Sequence, residues 1–155
     1  MSTPEERLAE IGLTVPEVVP PVAAYQPTAR TGTLVFTAGQ LPMRDGAPIT
    51  TGKLGDGVSD EVGYECARQC ALNALGAIKA EIGELSQVKR VVKAVVFVAS
   101  APGFTGQPQV ANGASELLGT AFGEAGKHAR SAVGVAVLPM DVPVEVELIV
   151  EVLES

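Results

Sequence analysis

Apolar and polar positions alternate along the 155-residue chain with a period that changes several times, and each change marks an element. Thr3-Pro4-Glu5-Glu6 supplies an N-cap, a proline at the first helical position and a glutamate at the third, and Leu8, Ala9 and Ile11 follow before Gly12. That order predicts a short helix. Pro16, Pro20 and Pro21 then impose an extended segment that does not fit inside a sheet. Residues 1–21 therefore read as an N-terminal helix with a Pro-rich extension, and residues 22–155 as a single domain. Val22 to Arg30 and Thr33 to Ala38 predict a hairpin turned at Thr31-Gly32, and the glycines and Asp45-Gly46 between residues 42 and 58 predict a looping excursion.

Ser59 caps the next segment, in which Val62, Cys66, Cys70, Ala74, Leu75, Ile78 and Ile82 recur at helical spacing up to Gly83. Val88 to Ala99 is apolar on both faces, as expected at the centre of a sheet covered on both sides. After Pro102-Gly103 and Pro108, a second helical stripe runs through Val110, Ala114, Leu117, Leu118, Ala121, Phe122 and Ala125 to Gly126. From His128 to Ser155 the chain reads as two strands joined by a Leu138-Pro139-Met140-Asp141 turn, a closing hairpin. The second of these strands sets Val142, Val144, Val146, Leu148, Val150 and Val152 against a face bearing Asp141, Glu145, Glu147 and Glu151. The order is ββαβαββ, an α+β domain with a mixed sheet and both long helices on one face.

Composition narrows the functional classes. Hydrophobic residues make up 46% of the chain but aromatics only 4%, so Val, Ala, Leu and Ile must fill the core, and the surplus apolar surface points to subunit association. A net charge of -7 without a basic cluster argues against nucleic-acid binding. The polar, acidic start and the absence of an apolar run near ~20 residues predict a cytoplasmic protein with no membrane span. Cys66 and Cys70 stand four apart on an apolar helix face, as core residues do, and with one histidine they are too few for a metal site. The stretch Gly46 to Leu54 lacks the spacing and the hydroxyl of a phosphate loop.

Tyr25, Thr37-Ala38-Gly39-Gln40-Leu41-Pro42, Val95-Val96-Phe97-Val98, and Ala129-Arg130-Ser131-Ala132-Val133 through Leu138-Pro139 and Val144-Glu145-Val146-Glu147 together resemble the Rid family, also called YjgF-like or endoribonuclease L-PSP-like. The resemblance covers about residues 22–153. It implies a chorismate-mutase-like fold and a homotrimer with ligand clefts between subunits. It also implies hydrolysis of 2-aminoacrylate-type enamines and imines to 2-oxo acids and ammonia, with no metal or organic cofactor. By that resemblance Arg130 holds the substrate carboxylate, Glu145 positions a water, and Tyr25, Asn112 and Gly39 border the cleft. Active deaminases commonly carry Pro-Ala-Arg-Ser-Cys where this chain has His128-Ala129-Arg130-Ser131-Ala132-Val133, and the thiol position is read as Val133. With Ala23-Ala24-Tyr25 in place of Gly-Pro-Tyr, the chain resembles a divergent branch. A non-catalytic trimer that binds a small carboxylate is the rival expectation, while ribonuclease activity, which a family name would imply, is undercut by the charge.

Chemistry separates the site residues from scaffold. Arg130 opens an otherwise apolar strand with a permanently charged planar fork, so it needs an anion, either a ligand or a carboxylate such as Glu147 or Glu151. In a tight closing hairpin Arg130 and Glu145 lie about five residues apart, roughly 16 Å at ~3.3 Å per residue, too far for one small substrate. They then serve one site only across a subunit interface; otherwise Glu145 is a surface or interface carboxylate. His128 shares a face with Arg130 and is the only histidine, with a structural role favoured over acid–base chemistry. Tyr25 is open to a packing role, and Asn112 to bonding a nearby loop.

Overall fold

The computed structural model describes residues 1–18, 24 and 26–154. Helix α1 (Pro4–Glu10) begins as its sequence predicts, with the Thr3 hydroxyl accepting the Glu6 N–H at 3.1 Å. Leu8 is fully buried in the core shared by the long helices α2 (Asp60–Ile82) and α3 (Gln107–Phe122). Arg7 Nε and Nη2 both donate to the Ala121 carbonyl, at 2.9 and 2.6 Å. A cation there complements the negative end of α3.

Strands β1 (Thr28–Thr31) and β2 (Leu34–Thr37) form the first hairpin. Its opening strand begins later than the sequence pattern implies, and residues 19–23 and 25 lie outside the described residues. The excursion carries the two-residue strands β3 (Met43–Arg44), β4 (Ala47–Pro48), β5 (Lys53–Leu54) and β6 (Gly57–Val58). After α2, capped by the Ser59 hydroxyl on Val62 N–H at 3.2 Å, come β7 (Val88–Ala99), α3, β8 (Ala129–Val135) and β9 (Val144–Val152). The expected ββαβαββ order is present among these larger elements. Helix α3 ends at Phe122, short of Gly126, because residues Gly123–Gly126 tighten into a 3₁₀ turn.

The principal sheet has the order β1-β2-β9-β7-β8, and it overturns the closing hairpin. β8 and β9 do not pair. β8 runs parallel to β7, and β9 runs antiparallel along its other side, so Ala94 lies opposite both Arg130 and Leu148. The cause is α3: a helix that carries the chain back along the sheet delivers the next strand parallel to the previous one. The link from β8 to β9 through Leu138-Pro139-Met140-Asp141 is likewise no hairpin turn. Pro139–Asp141 forms a 3₁₀ turn in which Met140 and Asp141 take φ of 59° and 57°, and the chain passes the end of β7 before re-entering the sheet.

Helices cover one sheet face only. On β9, Val144, Val146, Leu148, Val150 and Val152 are buried, whereas Glu145, Glu147, Ile149 and Glu151 on the opposite face are half-buried. The expectation of a β7 covered on both sides therefore fails within one chain, and Phe36 and Val133 stay exposed on the open face. On the helical side α2 and α3 approach closely through Ala67, Ala71, Ala111 and Ala114. A Cβ at Gly113 would collide with the Tyr64 backbone carbonyl, so glycine sets the depth at which α3 sits.

Candidate functional site

Arg130 lies near the start of the edge strand β8, with Ala132, which packs on the core, two residues further along the same face. Its side chain therefore turns toward α3 and not toward the open face. Nη1 donates to Asn112 Oδ1 at 2.8 Å and to Ser115 Oγ at 3.2 Å. Asn112 and Ser115 are three apart on α3, so one helix face supplies both acceptors. The ion pair with Glu147 or Glu151 does not form: among the described residues no carboxylate lies within 4.0 Å of the guanidinium. Both acids sit on β9, with β7 between them and Arg130, and Glu147 faces the other side of the sheet. Beside the guanidinium is a pocket of about 330 Å³, lined by Ser115, Gly119, Gly126, Lys127, His128 and Arg130. The Lys127 ammonium on its rim pairs with Glu124 at 3.0 Å.

Glu145 belongs to a different corner. Gln40 bridges to Val146, whereas Phe36 pairs with Ile149, so one extra residue is accommodated on the chain after β2. This bulge places Gly39 beside the Glu145 carboxylate, where a Cβ would overlap the oxygen. Thr37 Oγ1 accepts the Leu148 N–H at 3.0 Å across the irregularity. Burial first, and the nearby Glu147 charge second, push the Glu145 carboxyl above the usual carboxylate range. No hydrogen-bond donor among the described residues reaches that carboxylate. Gly39 and Gln40 also border a groove of about 520 Å³ that continues past Pro27, Leu41 and Asn73.

The two corners do not meet in one chain. Arg130 is level with Ala94 and Glu145 with Phe97, three residues along β7 and two strands across it. That is roughly 14 Å between backbones at ~3.3 Å per residue and ~4.8 Å per strand, with the side chains on opposite sheet faces. The separation thus persists although the hairpin register behind the expected 16 Å is absent.

Asn112 joins the Arg130 corner and Gly39 the Glu145 corner. Tyr25 falls outside the described residues. Val133 is 44% exposed on the open sheet face, opposite Phe97, and so points away from Arg130. Alternation along β8 leaves Ala132 as the neighbour on Arg130's face, and Ala132 is also the position two residues after the arginine where Pro-Ala-Arg-Ser-Cys has its thiol. Cys66 and Cys70 are buried on α2, where desolvation pushes the Cys66 thiol up to about 11 and the Cys70 thiol well above its usual value. Among the described residues, no three His, Cys, Asp or Glu side chains gather as metal ligands would. Ser115 escaped the sequence reading; its signal was the three-residue spacing from Asn112.

Fold and site together define a class: an α+β domain with a one-sided mixed sheet and an arginine pocket at its edge strand. The family follows from comparison. The sequence model described as "YjgF/chorismate_mutase-like, putative endoribonuclease" matches residues 5–152, and the chain belongs to this family. It is 44% identical over 145 residues to Protein TCP17 of Trypanosoma cruzi, covering 93% of this chain and 91% of that protein. The crystal structure of Atu1372 from Agrobacterium tumefaciens is 43% identical and superposes with a TM-score of 0.90, covering 97% of this chain and 92% of the other. The YjgF gene product of E. coli is 26% identical with a TM-score of 0.62, over 84% and 90% of the two chains.

Proposed function

We propose that the protein hydrolyses small reactive enamine or imine carboxylates of the 2-aminoacrylate and 2-iminopropionate type, releasing a 2-oxo acid and ammonia in clefts between subunits of a homotrimer. The observation that carries this reading is the Arg130 guanidinium, held through Nη1 by Asn112 and Ser115 beside an open pocket. Its Nε and Nη2 edge engages no described residue and has the side-on fork that matches a carboxylate. In the proposed reaction a water attacks the imine carbon while Glu145 receives the water's proton. Starting from the protonated imine, this gives a carbinolamine that takes that proton back from Glu145 on nitrogen; its C–N bond then breaks, and ammonia leaves as the carbonyl forms and the hydroxyl proton passes to Glu145. A carboxyl held above its usual range by burial is better matched to such shuttling than an exposed one. No covalent nucleophile is needed, and positioning a labile substrate supplies much of the acceleration.

Because Arg130 and Glu145 occupy opposite faces of one sheet, a shared substrate needs Arg130 of one subunit and Glu145 of the next. The open sheet face, with exposed Phe36 and Val133 beside half-buried Val95, Phe97 and Ile149, is the surface we assign to trimer contact. The weaker likeness to the YjgF gene product than to Atu1372 supports a divergent branch. No described helix is long and apolar enough to cross a membrane, and a cytoplasmic setting fits this chemistry. The alternative, a non-catalytic trimer that binds a small carboxylate, is favoured by Ala132 at the thiol position.

The test is to generate 2-iminopropionate in situ with an amino-acid oxidase and follow pyruvate release. Acceleration by micromolar protein that is lost in Arg130→Ala supports the enzyme. Pyruvate binding without acceleration supports the alternative, and neither binding nor acceleration overturns both. Mixing Arg130→Ala with Glu145→Gln subunits tests the shared cleft, since random trimers regain both groups in about a quarter of their clefts. A monomer by sedimentation, or no regain on mixing, rules that assembly out.

A further inference from the structure

Both ring nitrogens of His128 are hydrogen-bonded, Nδ1 to the backbone and Nε2 to a serine that in turn meets Arg130. Nδ1 is 2.6 Å from the Gly126 carbonyl oxygen, and Nε2 is 2.9 Å from Ser115 Oγ. A carbonyl only accepts, so Nδ1 must carry the proton. In the neutral ring Nε2 is then a bare acceptor, and the single Ser115 hydroxyl proton is directed to it. This leaves the Ser115 lone pairs for Arg130 Nη1, which donates at 3.2 Å and gives its other hydrogen to Asn112 at 2.8 Å. Every donor in the chain meets one acceptor, and Nη1 is saturated.

We infer that His128 and Ser115 are positioning residues for the carboxylate-binding arginine: the relay from Gly126 through His128 and Ser115 fixes the guanidinium so that only its Nε and Nη2 edge faces a ligand. This rests on the proposed role of Arg130, which it deepens. Several features make the relay an effective brace. Gly126 is a buried backbone point at the end of the turn that closes α3, so the ring is anchored to the fold and not to another mobile side chain. Ser115 lies on α3 beside the close crossing at Gly113. The guanidinium is thus held by two acceptors on a rigid helix, one of them oriented by the ring. An arginine fixed in advance loses less side-chain freedom when it takes a carboxylate. His128 has no nitrogen left for substrate, so it does not serve as the acid or base.

The histidine state can be read without turnover. A long-range ¹H–¹⁵N correlation spectrum of the intact protein at mildly alkaline pH contains one histidine, so its assignment is unambiguous. A protonated Nδ1 and bare Nε2 are expected, and a proton on Nε2 overturns the relay. Kinetics and pyruvate binding then test positioning. Ser115→Ala and His128→Ala should each raise KM and pyruvate Kd about ten-fold with kcat nearly unchanged. The double variant should be no worse than either single one, because both break the same brace. Ser115→Thr, which keeps the hydroxyl, should restore binding to within about two-fold. Loss of kcat at constant KM, additive effects, or no rescue by threonine would refute the assignment. A wild-type protein that shows the expected tautomer but binds no pyruvate refutes the carboxylate site and leaves the relay standing.

Discussion

Arg130 and Glu145 are built in opposite ways. The arginine is partly exposed yet tied down: two acceptors from one helix meet Nη1, and a histidine stands behind one of them. The glutamate is half-buried yet untethered among the described residues, pressed against Gly39 with Glu147 nearby. A group that must present a fixed fork gains from preorganised partners. A group that must exchange a proton gains from desolvation without strong donors, since each donor would favour the charged form and lower its pKa. The contrast matches binding to one corner and proton transfer to the other, and it yields predictions that attack each corner separately.

The largest effect is expected from Glu145→Gln, which should lower kcat about 100-fold or more while pyruvate binding changes little. Arg130→Ala should act on the other parameter, reducing kcat/KM roughly 100-fold mainly through KM, as loss of two charge-assisted bonds at the low end of about 1.5 kcal/mol each implies. Arg130→Lys should recover little, because an ammonium lacks the fork. Calorimetric titration with pyruvate and steady-state kinetics separate these cases. If both variants fall equally in kcat with KM unchanged, the division of labour is wrong.

Backbone variants sharpen the contrast. Gly113→Ala, which drives a Cβ into the Tyr64 carbonyl, should cost about 1–3 kcal/mol in urea unfolding and weaken pyruvate binding as α3 shifts. Gly39→Ala should displace only the flexible end of Glu145, lowering kcat about ten-fold in thermal-melt-neutral protein. Equal destabilisation by the two would show that Gly39 is structural.

The smallest effect concerns pH. Glu145 must be ionised to accept a proton, so kcat should rise with pH through its elevated pKa and then level off. Glu147→Gln removes the repulsion but not the burial, and should move that acid limb part of the way toward the ordinary carboxylate range. The stability sign is fixed by the same elevation. The folded state holds the Glu145 proton more tightly than the unfolded chain, so this group's contribution is full below the ordinary range and is lost as pH rises through the folded value. Glu145→Gln should therefore gain stability relative to the parent as pH increases, measurable as a growing difference in urea midpoint.

Local code carried much of the fold. Thr3, Ser59 and Gly83 mark helix ends whose geometry depends on a few adjacent residues, and the stripe from Cys66 to Ile78 faces the core because a helix of fixed pitch aligns it. The pairing of β8 was not legible in the same way. Its Val and Ala content marks a strand, but a short link to β9 made a hairpin the economical reading, and only the packing of α3 shows that β7 lies between them. For the same reason Glu147, a reasonable alternative partner for Arg130 in a hairpin, is out of reach in this sheet.

By itself, the sequence determined which segments form helices and the larger strands, and it singled out Arg130 as a permanent charge at the head of an apolar strand, because these depend on neighbours within a few residues. Tertiary structure alone decided that Ser115 and His128 brace that arginine, that Gly39 seats Glu145, and that the two charges look out from opposite faces. Those relations join residues from separate elements, and strand order, a global property of packing, sets them.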